Sequence, residues 1–322
     1  MGKQTKPLLS IITLVYNHEK YLKDCLNGFV KQSVNFPFEV IIHDDASTDN
    51  SRKIIEEYAS RYPTIFIPIY QDYNQFSHGV KIGKVFMYPR ARGKYIALCE
   101  GDDYWTDPYK LQKQVDFLEN NPDYSMCFHA ATEIWEDYPE KNGVFSNIQN
   151  RDYVSTEIFN HWIIPTASTV FRKEVIDSKF YNENISSNTK IAFGDIALFI
   201  TCSQFGKIRG FSDVMSVYRR HSQGMTQQLI HFSMLFKYCS QSFYMASIFI
   251  SDKKLNKLIH DKAIKRSLAM YWTTVLCGDQ EYRSKCYNLI KSNLKHRYGF
   301  MILQGPVRFY MALRTFYRNK NK

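Results

Sequence analysis

The first 120 residues repeat one unit: a short run of β-branched and apolar residues, a polar loop, then an amphipathic stretch. Few architectures accommodate that rhythm. Leu8 to Val15 reads as a strand, Tyr16-Asn17-His18 as a loop, and Glu19 to Gln32 as a helix with Tyr21, Leu22, Cys25, Leu26 and Phe29 as its apolar positions. The unit recurs as Phe38 to His43, Asp44 to Asp49 and Asn50 to Tyr62, with Ile54, Ile55 and Tyr58 on one helical face. Ile65 to Tyr70 is a third strand, and Gly79 to Tyr88 a glycine-punctuated helical segment. Tyr95 to Cys99 is a fourth strand ending in Glu100-Gly101-Asp102-Asp103. Thr106 or Asp107 can then cap a helix that has Pro108 in its first turn and runs through Leu111, Val115 and Leu118. Strands rich in Ile and Val that alternate with helices predict an α/β fold, a mostly parallel sheet flanked by helices.

Beyond Pro122 the rhythm loosens. Ser125 to Ala131 reads as a strand, Pro139 to Asp152 as a polar loop and Ile163 to Arg172 as an extended segment. Ile196 to Cys202 reads as a helix that begins just after Asp195, and Val214 to His221 as a strand edge. From Met225 onward the composition turns helical. The expected division is therefore a domain over residues 1–225 and a helical region over 226–322.

An apolar fraction of 44% with 23% charged residues is that of a folded globular chain, which sets disorder aside. Seven Cys without a C-x-x-C pair argue against a zinc knuckle, and their apolar neighbours suit buried thiols in a reducing compartment. The N-terminus carries no signal-peptide apolar run, and nowhere do 18 apolar residues follow one another. A cytoplasmic protein is the expectation. The net charge of +11 gathers at the end: from Tyr282 onward there are ten Lys or Arg and no Asp or Glu. Such a tail attracts polyanions of any kind.

Ligands of open parallel sheets bind outside the carboxyl ends of the strands. Asp44-Asp45 and Glu100-Gly101-Asp102-Asp103 both fall there. Carboxylates converging on one crevice repel unless a cation neutralises them, and Mg²⁺ or Mn²⁺ bound to a diphosphate would do so while stabilising a departing leaving group. The chain has no G-x-x-x-x-G-K-[ST] loop and no G-x-G-x-x-G after the first strand, which weakens ATPase and dinucleotide readings. It also lacks G-x-S-x-G and H-E-x-x-H.

Three stretches carry a resemblance: Leu9 to Asn17, Ile41 to Asp49, and Gly93 to Asp103, supported by Phe193-Gly194-Asp195 and Tyr218-Arg219-Arg220-His221. In order and spacing, over roughly residues 7 to 225, the chain resembles family 2 of the glycosyltransferases, inverting enzymes of the GT-A fold that build bacterial surface polysaccharides. The resemblance implies a nucleotide-diphospho-sugar donor, usually a UDP-sugar. Val15, Tyr16, Asn17 and Glu19 of the first loop, with Asp44 and Asp45, would hold base and ribose. Asp103 would be the principal Mn²⁺ or Mg²⁺ ligand, with Asp102 and His221 beside it. Glu100 and Asp102 would help hold ribose or diphosphate, and Arg219, Arg220 and His221 would face the leaving phosphates. Asp195 would be the general base. Gly194 stands where the family usually has Glu.

Trp105 and Trp162 are candidate sugar platforms, with core packing as the plainer role. Two other readings stay open: a sugar nucleotidyltransferase, which would be expected to carry a Gly-rich basic loop where this chain has Tyr16-Asn17-His18-Glu19, and a nucleic-acid-binding protein, whose basic footprint should spread beyond the tail. No nucleic-acid partner is expected. The acceptor would be a glycan or a lipid-linked sugar. Helical spacing puts Phe309, Leu313 and Phe316 of the tail on one face among Arg residues, which suits peripheral binding to an anionic membrane surface.

Overall fold

The computed structural model describes residues 6–222, 224 and 232–293. It divides into two compact units, residues 1–188 with 194–222, and residues 189–193 with 223–322.

The first unit is built on a ten-stranded mixed sheet. β1 (Leu9–Val15) and β2 (Phe38–Asp44) are buried along almost their whole length, as strands covered on both faces must be. They pair in parallel with each other, and β3 (Phe66–Tyr70) and β4 (Tyr95–Leu98) continue the parallel set on either side. Helices α1 (Leu22–Val30), α2 (Ser51–Arg61) and α3 (Lys110–Asn120) bury Leu26, Phe29, Ile55, Val115 and Leu118 in one core with Ile11, Val40 and Ala97 of the strands.

The far half contains β5 (Tyr104–Trp105), β6 (Tyr124–Trp135), β7 (Gly143–Val144), β8 (Asp152–Tyr153), α4 (Ser155–His161), β9 (Val170–Arg172), two short helical turns α5 (Glu174–Asp177) and α6 (Lys179–Tyr181), α7 (Gly194–Phe205) and β10 (Lys207–Arg220). β9 runs antiparallel between β4 and β6, while β10 is parallel to β6 and carries β5 and β8 on its outer side.

Several elements differ from the sequence reading. The helix expected from Thr106 or Asp107 starts at Lys110, because Asp107 accepts the Tyr109 N–H and so closes a turn around Pro108. The Gly79–Tyr88 segment is a π-helix, Gly83–Met87, followed by a 3-10 turn. Val214 to Arg220 forms the end of a long strand that β5 pairs with, His221 lies just beyond it, and the polar stretch 139–152 contains β7 and the start of β8. Six of the seven thiols are buried; Cys277 is exposed.

In the second unit α8 (Phe232–Ile248), α9 (Lys253–Cys277) and α10 (Gln280–Asn293) are helical. Asp252 caps α9 through the Leu255 N–H, and Gly278 ends it in the left-handed region, where glycine bears no Cβ penalty. Met225 and the tail face with Phe309, Leu313 and Phe316 lie outside the described residues. No described helix is long and apolar enough to cross a membrane.

Candidate functional site

The loops after β1 and β2 are laced together. Asn17 takes a positive φ of 56°, which Asn tolerates better than most residues. Its N–H donates to Ser47 Oγ and its Oδ1 accepts from the Thr48 N–H. His18 N–H donates to Ser51 Oγ, and Glu19 exchanges bonds with Asp49 and Asn50. Val15 accepts the Asp45 N–H through its carbonyl, and the ring of Tyr16 stays exposed. Asp45 itself is buried and accepts the N–H groups of Gln75 and Phe76 at 2.8 and 3.0 Å, so it clasps the turn after β3. Asp44 is buried with Oδ2 lacking any hydrogen-bond partner, and burial raises its carboxyl.

The acidic loop after β4 docks on this pair. A Cβ on Gly101 would lie 2.8 Å from His18 Nδ1 and 2.9 Å from Val15 Cγ2, so only glycine fits there. Asp102 Oδ2 lies 3.0 Å from His221 Nε2 and 3.9 Å from His18 Nε2, whereas Asp102 Oδ1 is buried without a partner. Burial alone would raise the Asp102 carboxyl, but the His221 bond and the His18 charge outweigh it and hold it low. His18 was not among the candidates read from sequence; its place directly after Asn17 in the first loop is the signal that could have found it. Burial lowers its ring, against the opposing pull of Asp102.

Asp103 points the other way. It is buried, its Oδ1 accepts the Arg219 N–H at 2.9 Å, and burial followed by the Asp102 charge pushes its carboxyl well up. The side chain braces the junction of β5 with β10. The two arginines are committed as well. Arg219 donates to the Asp102 carbonyl and to Asp24, lies 3.5 Å from Glu136, and stacks on Tyr21 and Tyr104. Arg220 pairs with Glu133 over the Trp135 ring. Both guanidiniums thus have acidic partners.

Glu100 retains surface exposure, yet its carboxyl is pushed up to about 8 by desolvation in the crowded crevice and then by Asp102 and Asp195. That coupling brings Asp195 into the acidic set. Asp195 opens α7, accepts the Ile196 N–H, and is raised to about 6 by burial. It lines a narrow crevice with Trp162, Ile164 and Phe199. Trp105, in contrast, is a core residue whose indole N–H donates to the Ala167 carbonyl. Among the described residues no three His, Cys, Asp or Glu side chains are grouped as a metal centre. The donor set that suits a hard divalent cation is the unpartnered Asp102 oxygen beside His221.

The model of the family described as glycosyl transferase family 2 matches residues 10–180, more than half the chain and the whole of the two laced loops. The chain belongs to this family. An uncharacterized protein of Mycobacterium tuberculosis is 40% identical over 218 residues, which are 67% of this chain and 60% of that one. The chain thus spans about 60% of the length of the first curated relatives it matches. Among solved structures, TarS 1–349 of S. aureus with UDP-GlcNAc superposes with a TM-score of 0.68 at 14% identity, over 97% of this chain and 92% of that one. A mannosyltransferase of Pyrobaculum calidifontis with GDP-Man and Mn²⁺ superposes at 0.50, over 97% and 87%. These glycosyltransferases share the GT-A fold that the resemblance implied, and the family match leaves the nucleotidyltransferase and nucleic-acid readings without support.

Proposed function

We propose that the chain transfers a sugar from a nucleotide-diphospho-sugar, a UDP-sugar first among candidates, to a hydroxyl of a glycan or lipid-linked acceptor, with inversion. The observation that carries this reading is the buried, unpartnered Asp102 Oδ1 next to His221, in the acidic loop after β4. Base and ribose enter between the laced loops, beside the exposed Tyr16 ring and Asn17.

Asp102 and His221, in place of Asp103, would hold Mn²⁺ or Mg²⁺. When bound, the cation neutralises charge that develops on the diphosphate. Asp103 and Arg219 keep the acidic loop and the end of β10 in register so that Asp102 and His221 stay together. Asp195 takes the proton of the attacking hydroxyl; a carboxyl raised to about 6 is a stronger base than an ordinary Asp and still ionised at neutral pH. Gly194 leaves that role to Asp195 alone.

The basic tail supports a peripheral position on an anionic, cytoplasmic membrane face, each cation adding ~1 kcal/mol near such a surface. Sedimentation with phosphatidylglycerol vesicles checks this: salt-sensitive binding that is lost from a chain ending at Arg297 supports it, and equal binding by both chains contradicts it. For the reaction, the test is release of nucleoside diphosphate from UDP-, GDP-, CMP- and TDP-sugars in the presence of Mn²⁺. At least one donor should turn over in the wild type and not in Asp195→Asn.

A further inference from the structure

The residues that lead into Asp195 are held by a single side chain of α8. Gln241 is 2% exposed, and its Oε1 accepts the N–H groups of Ala192 and Phe193 at 2.8 and 2.7 Å. Its Nε2 donates to the Phe193 carbonyl at 2.8 Å, so one amide satisfies both backbone groups of Phe193, as a neighbouring strand would. The Phe193 ring packs near Tyr238, about one turn earlier on α8, with centroids 5.6 Å apart. Ala192 and Phe193 group with α8 in the helical unit, and the chain passes into the α/β unit at Gly194. Gly194 has no side chain to anchor that passage, and even a Cβ there would meet nothing within 4 Å. Asp195 is the second residue of α7, in a first turn whose N–H groups have no carbonyl partner within the helix. Phe193 is therefore pinned through both backbone groups two residues before the carboxylate, and its placement sets the direction in which α7 begins.

We propose that Gln241 is a positioning residue for transfer: by fixing Ala192 and Phe193 it orients the Asp195 carboxylate toward the attacking hydroxyl. The inference rests on Asp195 being the general base, as proposed above. Misplacing a catalytic group by about 1 Å costs on the order of 10²-fold, even when the change lies far from the chemistry. The experiment measures nucleoside diphosphate release by the full chain with Mn²⁺, from whichever of the UDP-, GDP-, CMP- and TDP-sugars the wild type turns over. Gln241→Met matches the side chain in length but offers none of its bonds to Ala192 and Phe193. It should lower kcat about 10- to 100-fold, with donor KM within about threefold of wild type. Because Gln241 acts through Asp195, the double variant Gln241→Met/Asp195→Asn should be no slower than Asp195→Asn alone. A general loss of structure would instead lower both backgrounds by the same factor. Gln241→Glu keeps an acceptor for the two N–H groups, should lose less kcat than Gln241→Met, and carries the same comparison if the Met variant fails to fold. Wild-type kcat in a folded Gln241→Met, or in Gln241→Glu if it alone folds, overturns the proposal, as does an equal loss on top of Asp195→Asn; the transfer reading stands in either case. Undiminished release by Asp195→Asn, or no release from any of the four donors by the wild type, removes that reading and the proposal with it.

Discussion

His221 Nε2 and Asp102 Oδ2 stand 3.0 Å apart although 119 residues separate them in the chain. Arg219, two residues before His221, ties the same two segments twice more, by its N–H to Asp103 and its guanidinium to the Asp102 carbonyl. His221→Ala should therefore leave the fold in place, because those two bonds remain. It should lower kcat/KM for the donor about 10- to 100-fold, the usual effect of losing one ligand-side partner. Steady-state kinetics with a thermal melt check this; wild-type kcat/KM at an unchanged melting temperature contradicts it.

Asp195→Asn keeps an acceptor for the Ile196 N–H but removes the base. Transfer should fall ~10²–10⁴-fold. In the wild type, kcat/KM should drop as pH falls through about 6, since protonated Asp195 accepts no proton. The stability sign is opposite to that of a paired carboxylate. Asp195 is raised in the folded state, so folding binds its proton more tightly than the unfolded chain does, and its burden on stability is present above about pH 6 and disappears below about 4. After discounting for its partial exposure, Asp195→Asn should gain roughly 1 kcal/mol at pH 8 and nothing at pH 4. Melting curves at both values decide it.

Gly101→Ala places a methyl against His18 and Val15 with contacts under 3.0 Å. Overpacking of this kind costs about 1–3 kcal/mol, and here it also pushes the acidic loop off the first loop. Chemical denaturation should show the loss, with donor KM rising in parallel.

Much of this is legible in the sequence. Strands and acidic loops follow from the alternation of buried β-branched runs with polar turns, which is local in sequence. Side-chain direction is not local: Asp102 and Asp103 are neighbours in one tetrapeptide, yet only the pairing of β5 with β10 turns Asp103 inward and leaves Asp102 to His221. The same holds for Arg219 and Arg220, whose acidic partners Asp24, Glu133 and Glu136 come from distant segments. Helix α4 was missed because Ser155 to His161 is short and its partner α7 lies far along the chain.

Lys110 offers an independent check on the core. It is fully buried, donates to Gln114 Oε1 and faces the Trp105 ring, and burial lowers it to about 7. Because the unfolded chain keeps this proton up to about 10.5, it binds more protons than the folded chain between pH 7 and 10.5. Stability should rise with pH across that window, and Lys110→Met should flatten the rise. Melting temperatures from pH 7 to 10 measure it; an equal slope in both proteins contradicts the burial argument.

The central claim is that Asp102, not Asp103, holds the cation. Electron paramagnetic resonance of free Mn²⁺, titrated into protein with UDP present, reads it directly in wild type, Asp102→Asn and Asp103→Asn. Asn at 103 still accepts the Arg219 N–H, so the loop keeps its brace. The account predicts Mn²⁺ affinity weakened about 10- to 100-fold in Asp102→Asn and within about threefold of wild type in Asp103→Asn. The reverse pattern, with Asp103→Asn losing the metal and Asp102→Asn keeping it, would contradict it.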